Sequence, residues 1–289
     1  MKNQALKGAA LVVLAMTLYI QNDVATKLLT ERFDTLQVMM VRGAIGAASL
    51  LVLLRFTGTT YSWKHALMPA VMIRSACDGL ASLAFVFALA EMPLATLTAI
   101  MMLAPVISAG IGALIFRERL TGRLAISVML GFTGVLIFAR PVSTGVNFPM
   151  FLACSATLLL SARDLFTRHT SADVPSGLVA LLTTLSVPVF VAPIIAARGY
   201  LPMTPQDFIL LAYAGVFAAA GTWIFVQATR IATLAEIAPF RYSAVPLSIV
   251  AGFIVWGELP DLGMLVGSLF ITIAGVIALA SRSTPSHEG

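Results

Sequence analysis

Asn22-Asp23-Val24-Ala25-Thr26-Lys27 and Arg163-Asp164-Leu165-Phe166-Thr167-Arg168 are two hexapeptides separated by 141 residues, each with an acid and a base four positions apart. Each closes a long apolar run. Phe85-Val86-x-Ala88 returns as Phe225-Val226-x-Ala228, Leu94-Ala95 as Leu234-Ala235, and Gly134-Val135 as Gly275-Val276, all offset by 140 to 141 residues. Pro105 lies 13 residues before Glu118, and Pro246 lies 12 before Glu258. A single match would mean little, but their colinearity over nearly half the chain identifies an internal duplication.

The duplicated unit is strongly apolar. Of 289 residues, 59% are hydrophobic and 11% charged, with a mean hydropathy of +0.97. Soluble domains carry roughly a quarter charged residues, so water is not the main solvent of this chain. Cutting at charges, prolines and glycines predicts ten spans near 6–28, 35–54, 66–90, 94–116, 122–140, 147–167, 175–197, 207–230, 233–257 and 262–281. Each is close to the roughly 20 residues that cross a bilayer as helix; the fifth and tenth are barely long enough. The fold class is therefore an all-α integral membrane protein of ten transmembrane helices. The halves divide as 1–141 and 142–289 and together form one membrane domain. Lys2 and Lys7 before an apolar run resemble a signal peptide, but no small-x-small site follows and the run continues to Asn22-Asp23. The run is read as a retained first helix.

Loop charges orient the spans. With a cytoplasmic N-terminus, Lys2, Lys7, Arg55, Lys64, Arg117, Arg119, Arg123, Arg168, Arg230 and Arg282 share one side, against Lys27, Arg32, Arg140 and Arg198 on the other. Both termini are thus expected in the cytoplasm. Five spans per copy is an odd number, so the second copy enters from the opposite face. Inverted repeats commonly support alternating access, with substrate held between the halves near the midplane.

At this point the chain resembles the drug/metabolite transporter superfamily, EamA type. The resemblance rests on span number, inverted repeats, Pro105 followed by Phe116-Arg117-Glu118-Arg119-Leu120, and its second copy, Pro246 followed by Val255-Trp256-Gly257-Glu258-Leu259. It covers essentially the whole chain, and the family's bacterial aromatic amino acid exporters are similar in size and layout. It implies a central cavity lined by helices 1, 3, 4, 6, 8 and 9, with 5 and 10 peripheral. The implied activity is export of amino acids, including aromatic or bulky apolar ones, or of related small metabolites by alternating access. Uptake of a nucleoside-like or vitamin-like metabolite, such as S-adenosylmethionine or riboflavin, is the alternative.

An ionised group at the bilayer centre costs about 2.5–3.5 kcal/mol on insertion scales, so each needs a reason. Asp23 with Lys27 and Asp164 with Arg168 share helix faces. They are read either as ion pairs fixing helix ends or as gates whose pairing changes. Arg74 and Asp78, Arg163, Glu236 and Arg241 have uncharged counterparts in the other copy, as does Arg42. The scaffold does not demand them. Arginine forks suit a substrate carboxylate, and Asp78 or Glu236 suits an ammonium. Structural pairing of Arg74 with Asp78 and of Glu236 with Arg241 is the alternative, and Arg42 is read as structural. Asp23, Asp78 and Glu236 are candidates for proton coupling. Their nearby cations favour the ionised carboxylate, which leaves facilitated diffusion or exchange equally open.

Tyr19, Phe85, Phe87, Trp223, Phe240 and Tyr242 fall on the helices the resemblance assigns to the cavity, and Met101 and Met102 offer an adaptable wall. Ordinary packing would explain any one of them. Pro105 and Pro246 are expected to kink their spans. Gly263 and Gly267 form a small face, expected to pack on the ninth helix rather than in a dimer seam, so a monomer is favoured and a homodimer is the alternative. Cys77 and Cys154 are isolated and read as packing residues. His65, His169 and His287 lie in loops or the tail, so no metal site is expected. There is no Walker loop and no GxSxG, and Gly110-x-Gly112 lacks a third glycine. An enzyme is therefore disfavoured and no cofactor is expected. The expected partners are a small-molecule substrate and the lipid bilayer of a bacterial-type inner membrane. Nucleic acid is not expected, because the net charge of +5 is scattered over short loops.

Overall fold

The computed structural model describes residues 2–58, 63–104, 106–108, 111, 122–139, 147–167, 174–231 and 238–282. Among the described residues, ten helices follow one another: α1 (Lys2–Thr30), α2 (Thr35–Phe56), α3 (Pro69–Glu91), α4 (Leu94–Met101), α5 (Gly122–Ala139), α6 (Phe148–Thr167), α7 (Ser176–Arg198), α8 (Pro205–Ile231), α9 (Ala244–Trp256) and α10 (Leu262–Arg282). A single turn, Trp63–Ala66, precedes α3, and a 3₁₀ segment, Ala238–Ser243, precedes α9. Among the described residues, Leu6–Thr30, Thr35–Phe56, Pro69–Glu91, Gly177–Arg198 and Pro205–Ala228 are each long and apolar enough to cross a membrane.

Local chemistry sets the helix ends. Asp34 caps α2 by accepting from the Leu36 and Gln37 amides, Asn147 accepts from Met150 N–H ahead of α6, and Asp261 from Met264 N–H ahead of α10. At α8, Thr204 and Asp207 cap each other: Thr204 N–H donates to Asp207 at 2.9 Å and Asp207 N–H to Thr204 Oγ1 at 3.3 Å, a capping box with Asp at its third position. Each cap satisfies amides that helix geometry leaves unpaired.

The packing itself carries the duplication. Exchanging each helix of α1–α5 for its counterpart in α6–α10 turns the α1–α8 pairing into α6–α3, α2–α8 into α7–α3, and α1–α9 into α6–α4. Pairings α2–α7, α4–α9 and α5–α10 map onto themselves. All of these pairings occur, and α1–α8, α3–α6 and α5–α10 are the most extensive. Such a pattern fits a two-fold relation between the halves. An odd number of reversing helices in α1–α5 matches the inversion expected from the sequence.

Close approaches are made by glycine. A Cβ on Gly267 would lie 2.7 Å from Gly134 O, and one on Gly134 would lie 3.0 Å from Gly267 O. The α10 small face therefore packs on α5, not on the ninth helix as expected. Gly215 on α8 meets the α2 backbone in the same way, its Cβ falling 2.8 Å from Arg42 O. Outward faces are apolar, with Phe56, Met129, Phe132, Ile209, Ile254 and Leu269 among the exposed side chains, as lipid solvation requires.

Among the described residues, helical regularity breaks after Met101 and ahead of α9. The α4 backbone leaves its regular pattern after Met101, where Leu103 N–H bonds back three residues to Ile100 O. Thr157 Oγ1 donates to Ile100 O at 3.4 Å and Ser161 Oγ to Ala104 O at 3.1 Å. The hydroxyls of α6 thus reach the carbonyls around the break, as membrane-embedded backbone requires. Pro105 lies outside the described residues. Pro246 falls in the first turn of α9, where its missing N–H costs nothing. The break in that half is therefore the 3₁₀ segment before Pro246, not the mid-helix kink expected from sequence.

Candidate functional site

Three polar layers occupy the interior, from the face where α1 begins to the opposite one. The first joins α3, α6 and α7. Arg163 Nη1 donates to Asp78 at 2.5 Å, and Nη2 donates to the neighbouring Asp164 at 2.8 Å. Arg74 Nη1 donates to Thr183 Oγ1 on α7 at 3.0 Å. Asp78 is only 8% exposed, so its charge is held by the two-helix ion pair and not by solvent. The sequence offered Arg74 as its partner; Arg74 stays within electrostatic reach of Asp78, and Arg163 reaches the same carboxylate across the helix interface. Charged hydrogen bonds of this kind are stronger than neutral ones, and this one unites the α3–α6 seam.

The middle layer centres on Tyr19, whose hydroxyl donates to Thr222 on α8 at 3.1 Å. Arg241, Arg163 and Asp78 are close enough to act on it electrostatically. Arg241 lies over the Phe225 ring, 5.4 Å from its centroid. An aromatic hydroxyl and two cations from different helices thus converge on one region.

A second buried group lies further along α1. Arg42 donates to Asn22 Oδ1 at 2.8 Å, and the Asn22 amide donates to Asp23 at 2.9 Å. Asn22 therefore links the two charges. Asp23 faces this α1–α2 contact instead of pairing with Lys27, which corrects the spacing-based pair.

Lys27 belongs to the third layer, at the far end of α1. Its ammonium donates to Met92 O at 2.9 Å, lies 3.6 Å from Glu258 Oε1, and sits 4.6 Å from the Trp256 ring centroid. Trp256 Nε1 in turn donates to Glu31 at 2.7 Å. The geometry comes from the end of α9. Gly257 adopts φ 68°, a conformation that glycine tolerates at a helix end, and Glu258 N–H bonds to Gly252 O. The chain folds back so that Glu258 lies over Gly252, where a Cβ would fall 2.7 Å from Glu258 Oε2. On the same face, Arg32 pairs with Asp207 at 3.1 Å, and Gln37 exchanges two hydrogen bonds with the Leu201 backbone.

The remaining candidates are dispersed. Met101 and Phe85 line a cavity of about 100 Å³ with Ala81, Ser82 and Leu160, and Met102 packs half-buried beside it. Trp223 packs on the α2–α7 cluster around Leu50 and Leu181. Tyr242, 2% exposed, is enclosed by Ala95, Ala99, Phe138, Val245 and Ile271, in the seam with α5 and α10. Phe87 and Phe240 are exposed. Glu236 and Arg168 lie outside the described residues. Sequence reasoning did not single out Glu31, Thr222 or Thr183, and Trp256 and Glu258 entered only as parts of the repeated motif after Pro246. Among the described residues, no group of three or more His, Cys, Asp or Glu could hold a metal ion.

A family model described as the EamA-like transporter family matches the chain twice, over residues 6–140 and 147–280. A riboflavin transporter of Rhizobium johnstonii is 26% identical, covering 97% of this chain and 93% of its own length. The pseudopaline exporter CntI of Pseudomonas aeruginosa is 22% identical, covering 92% and 94%. An S-adenosylmethionine uptake transporter of Rickettsia bellii is 22% identical, covering 97% of each. A solved crystal structure superposes with a TM-score of 0.68 at 16% identity, covering 96% of this chain and 99% of the other.

Proposed function

Because this chain belongs to the EamA-like transporter family, as its two matches across 6–140 and 147–280 establish, we propose that it exports amino acids or related small metabolites by alternating access. The observation that carries the substrate class is the convergence of Arg163, Asp78, Arg241 and Tyr19 from different helices. A zwitterion offers a carboxylate to arginine forks and an ammonium to Asp78. The Met101 and Phe85 cavity gives a bulky apolar side chain a soft wall. The units 1–141 and 142–289 would be the two halves that rock about this site. The membrane is a bacterial inner membrane, and the basic loops favour both termini on its cytoplasmic side.

Proteoliposomes loaded with unlabelled amino acids and offered labelled ones, with and without a pH gradient, test the reading. Accumulation of at least one amino acid is expected, most strongly for aromatic or bulky apolar ones. No movement under either condition overturns the substrate class. Relatives named for riboflavin and S-adenosylmethionine transport favour one second reading, uptake of a nucleoside-like or vitamin-like metabolite. Movement of those compounds in the same vesicles would select it. Fluorescent-protein and alkaline-phosphatase fusions at the C-terminus test orientation, and only the former should be active.

A further inference from the structure

The third layer lies apart from the proposed substrate region, and its partners come from separate elements. Lys27 stands on α1 and Glu31 just past its end, Met92 in the α3–α4 turn, Trp256 at the end of α9 and Glu258 just beyond it. We propose that Lys27 is the latch of a reversible gate at the face opposite the N-terminus, binding α1 to the α3–α4 turn and α9 when that face is closed. The proposal rests on the transport reading.

Lysine carries three donors and no acceptor. Here its ammonium has a carbonyl, a carboxylate and an aromatic face as partners, each supplied by an element other than its own. Separation of α1 from α9 and the turn removes all of them together. Lys27 is only 7% exposed, so in the closed state these contacts replace its water shell. On opening, water can take their place, because a lysine head hydrates strongly. An apolar plug would have no comparable compensation and would favour one state far more. Trp256 adds a second tie to α1 through Glu31. One turn inward from Lys27, Val24 belongs to the apolar cluster with Met92, Leu94 and Ala244, so the latch lies directly over packed, dry contacts.

Thiol accessibility tests this without any substrate. In a Cys77→Ser, Cys154→Ser background, Val24→Cys places a reporter beneath the latch. A membrane-impermeant maleimide is applied to right-side-out and inside-out membrane vesicles, and the labelling rate is measured. Lys27→Gln and Glu258→Gln should each raise the rate about tenfold, a typical size for coupled conformational equilibria, from one vesicle orientation only. Lys27→Arg keeps the charge and the ring contact and should stay near the parent rate. Unchanged rates in both neutral variants overturn the latch, as does an equal rise from both sides, which marks general loosening. Since labelling needs no transported compound, a failed proteoliposome screen leaves this result interpretable by itself.

Discussion

Asp78 and Arg163 meet from α3 and α6, and their chemistry decides between a structural tie and a substrate contact. Asp78→Asn leaves Arg163 its bond to Asp164 but removes one charged partner, a loss of about 1–3 kcal/mol. If the pair serves substrate, the variant should retain its folded yield while transport falls by at least about tenfold; lost yield by size exclusion would mark a structural tie. Tyr19→Phe removes one hydroxyl bond to Thr222 and should cost about 0.5–1.5 kcal/mol, read as a small drop in melting temperature in detergent. At this scale the sequence was a partial guide. Four-residue spacing put Asp23 and Lys27 on one helix face, but Asp23 is held by Asn22 near Arg42 while Lys27 reaches Met92 and Glu258. It could not reveal that the ion pairs of Lys27 and Asp78 cross to other elements, at Glu258 beyond α9 and Arg163 on α6. Within a membrane, cross-helix pairing also unites elements, so the nearest charge in sequence is not always the partner. Asn22 was legible only as an uncharged counterpart of Arg163, although its amide joins Arg42 to Asp23.

Elements were easier to read than their interruptions. The expected spans from 66–90 and 207–230 end close to α3 and α8, because Pro69, Glu91, Pro205 and Arg230 punctuate the apolar runs. Pro246 misled, since a proline signals a break nearby without saying whether it begins or interrupts a helix. The α5–α10 contact gives a prediction proper to this scale. Gly267→Val forces side-chain atoms onto the Gly134 backbone and should destabilise the detergent-solubilised protein by about 1–3 kcal/mol, measured by thermal unfolding. Gly252→Ala acts differently. Its new Cβ meets the flexible carboxylate end of Glu258, so stability should change by less than about 1 kcal/mol. The Val24→Cys reporter should nevertheless label faster, because Glu258 is displaced from Lys27.

For the whole molecule, the inverted duplication was visible in the 141-residue offset and the odd number of spans, since both survive long divergence of individual side chains. The mutual embrace of the halves was not, because nothing in a linear repeat says whether copies pack within or between themselves. Here the most extensive pairings, α1–α8, α3–α6 and α5–α10, all run between halves. Expressed separately, segments 1–146 and 147–289 should each be degraded, whereas co-expression should yield a complex that co-purifies through a tag on one segment. Stable accumulation of either segment alone would contradict that interdependence.

The α1–α8 contact has a further consequence for how the chain is made. Tyr19 and Thr222 stand 203 residues apart. At about 5–20 residues per second of synthesis, α1 waits roughly 10–40 seconds for the helix it packs against most. During that interval Asn22, Asp23 and Lys27 are already in or near lipid while α8 and α9 are still unmade. Biogenesis therefore needs a temporary host for the first helix, either the insertion machinery or a provisional docking on α2 and α3, and slowing translation before α8 should lengthen its exposure to membrane quality-control proteases.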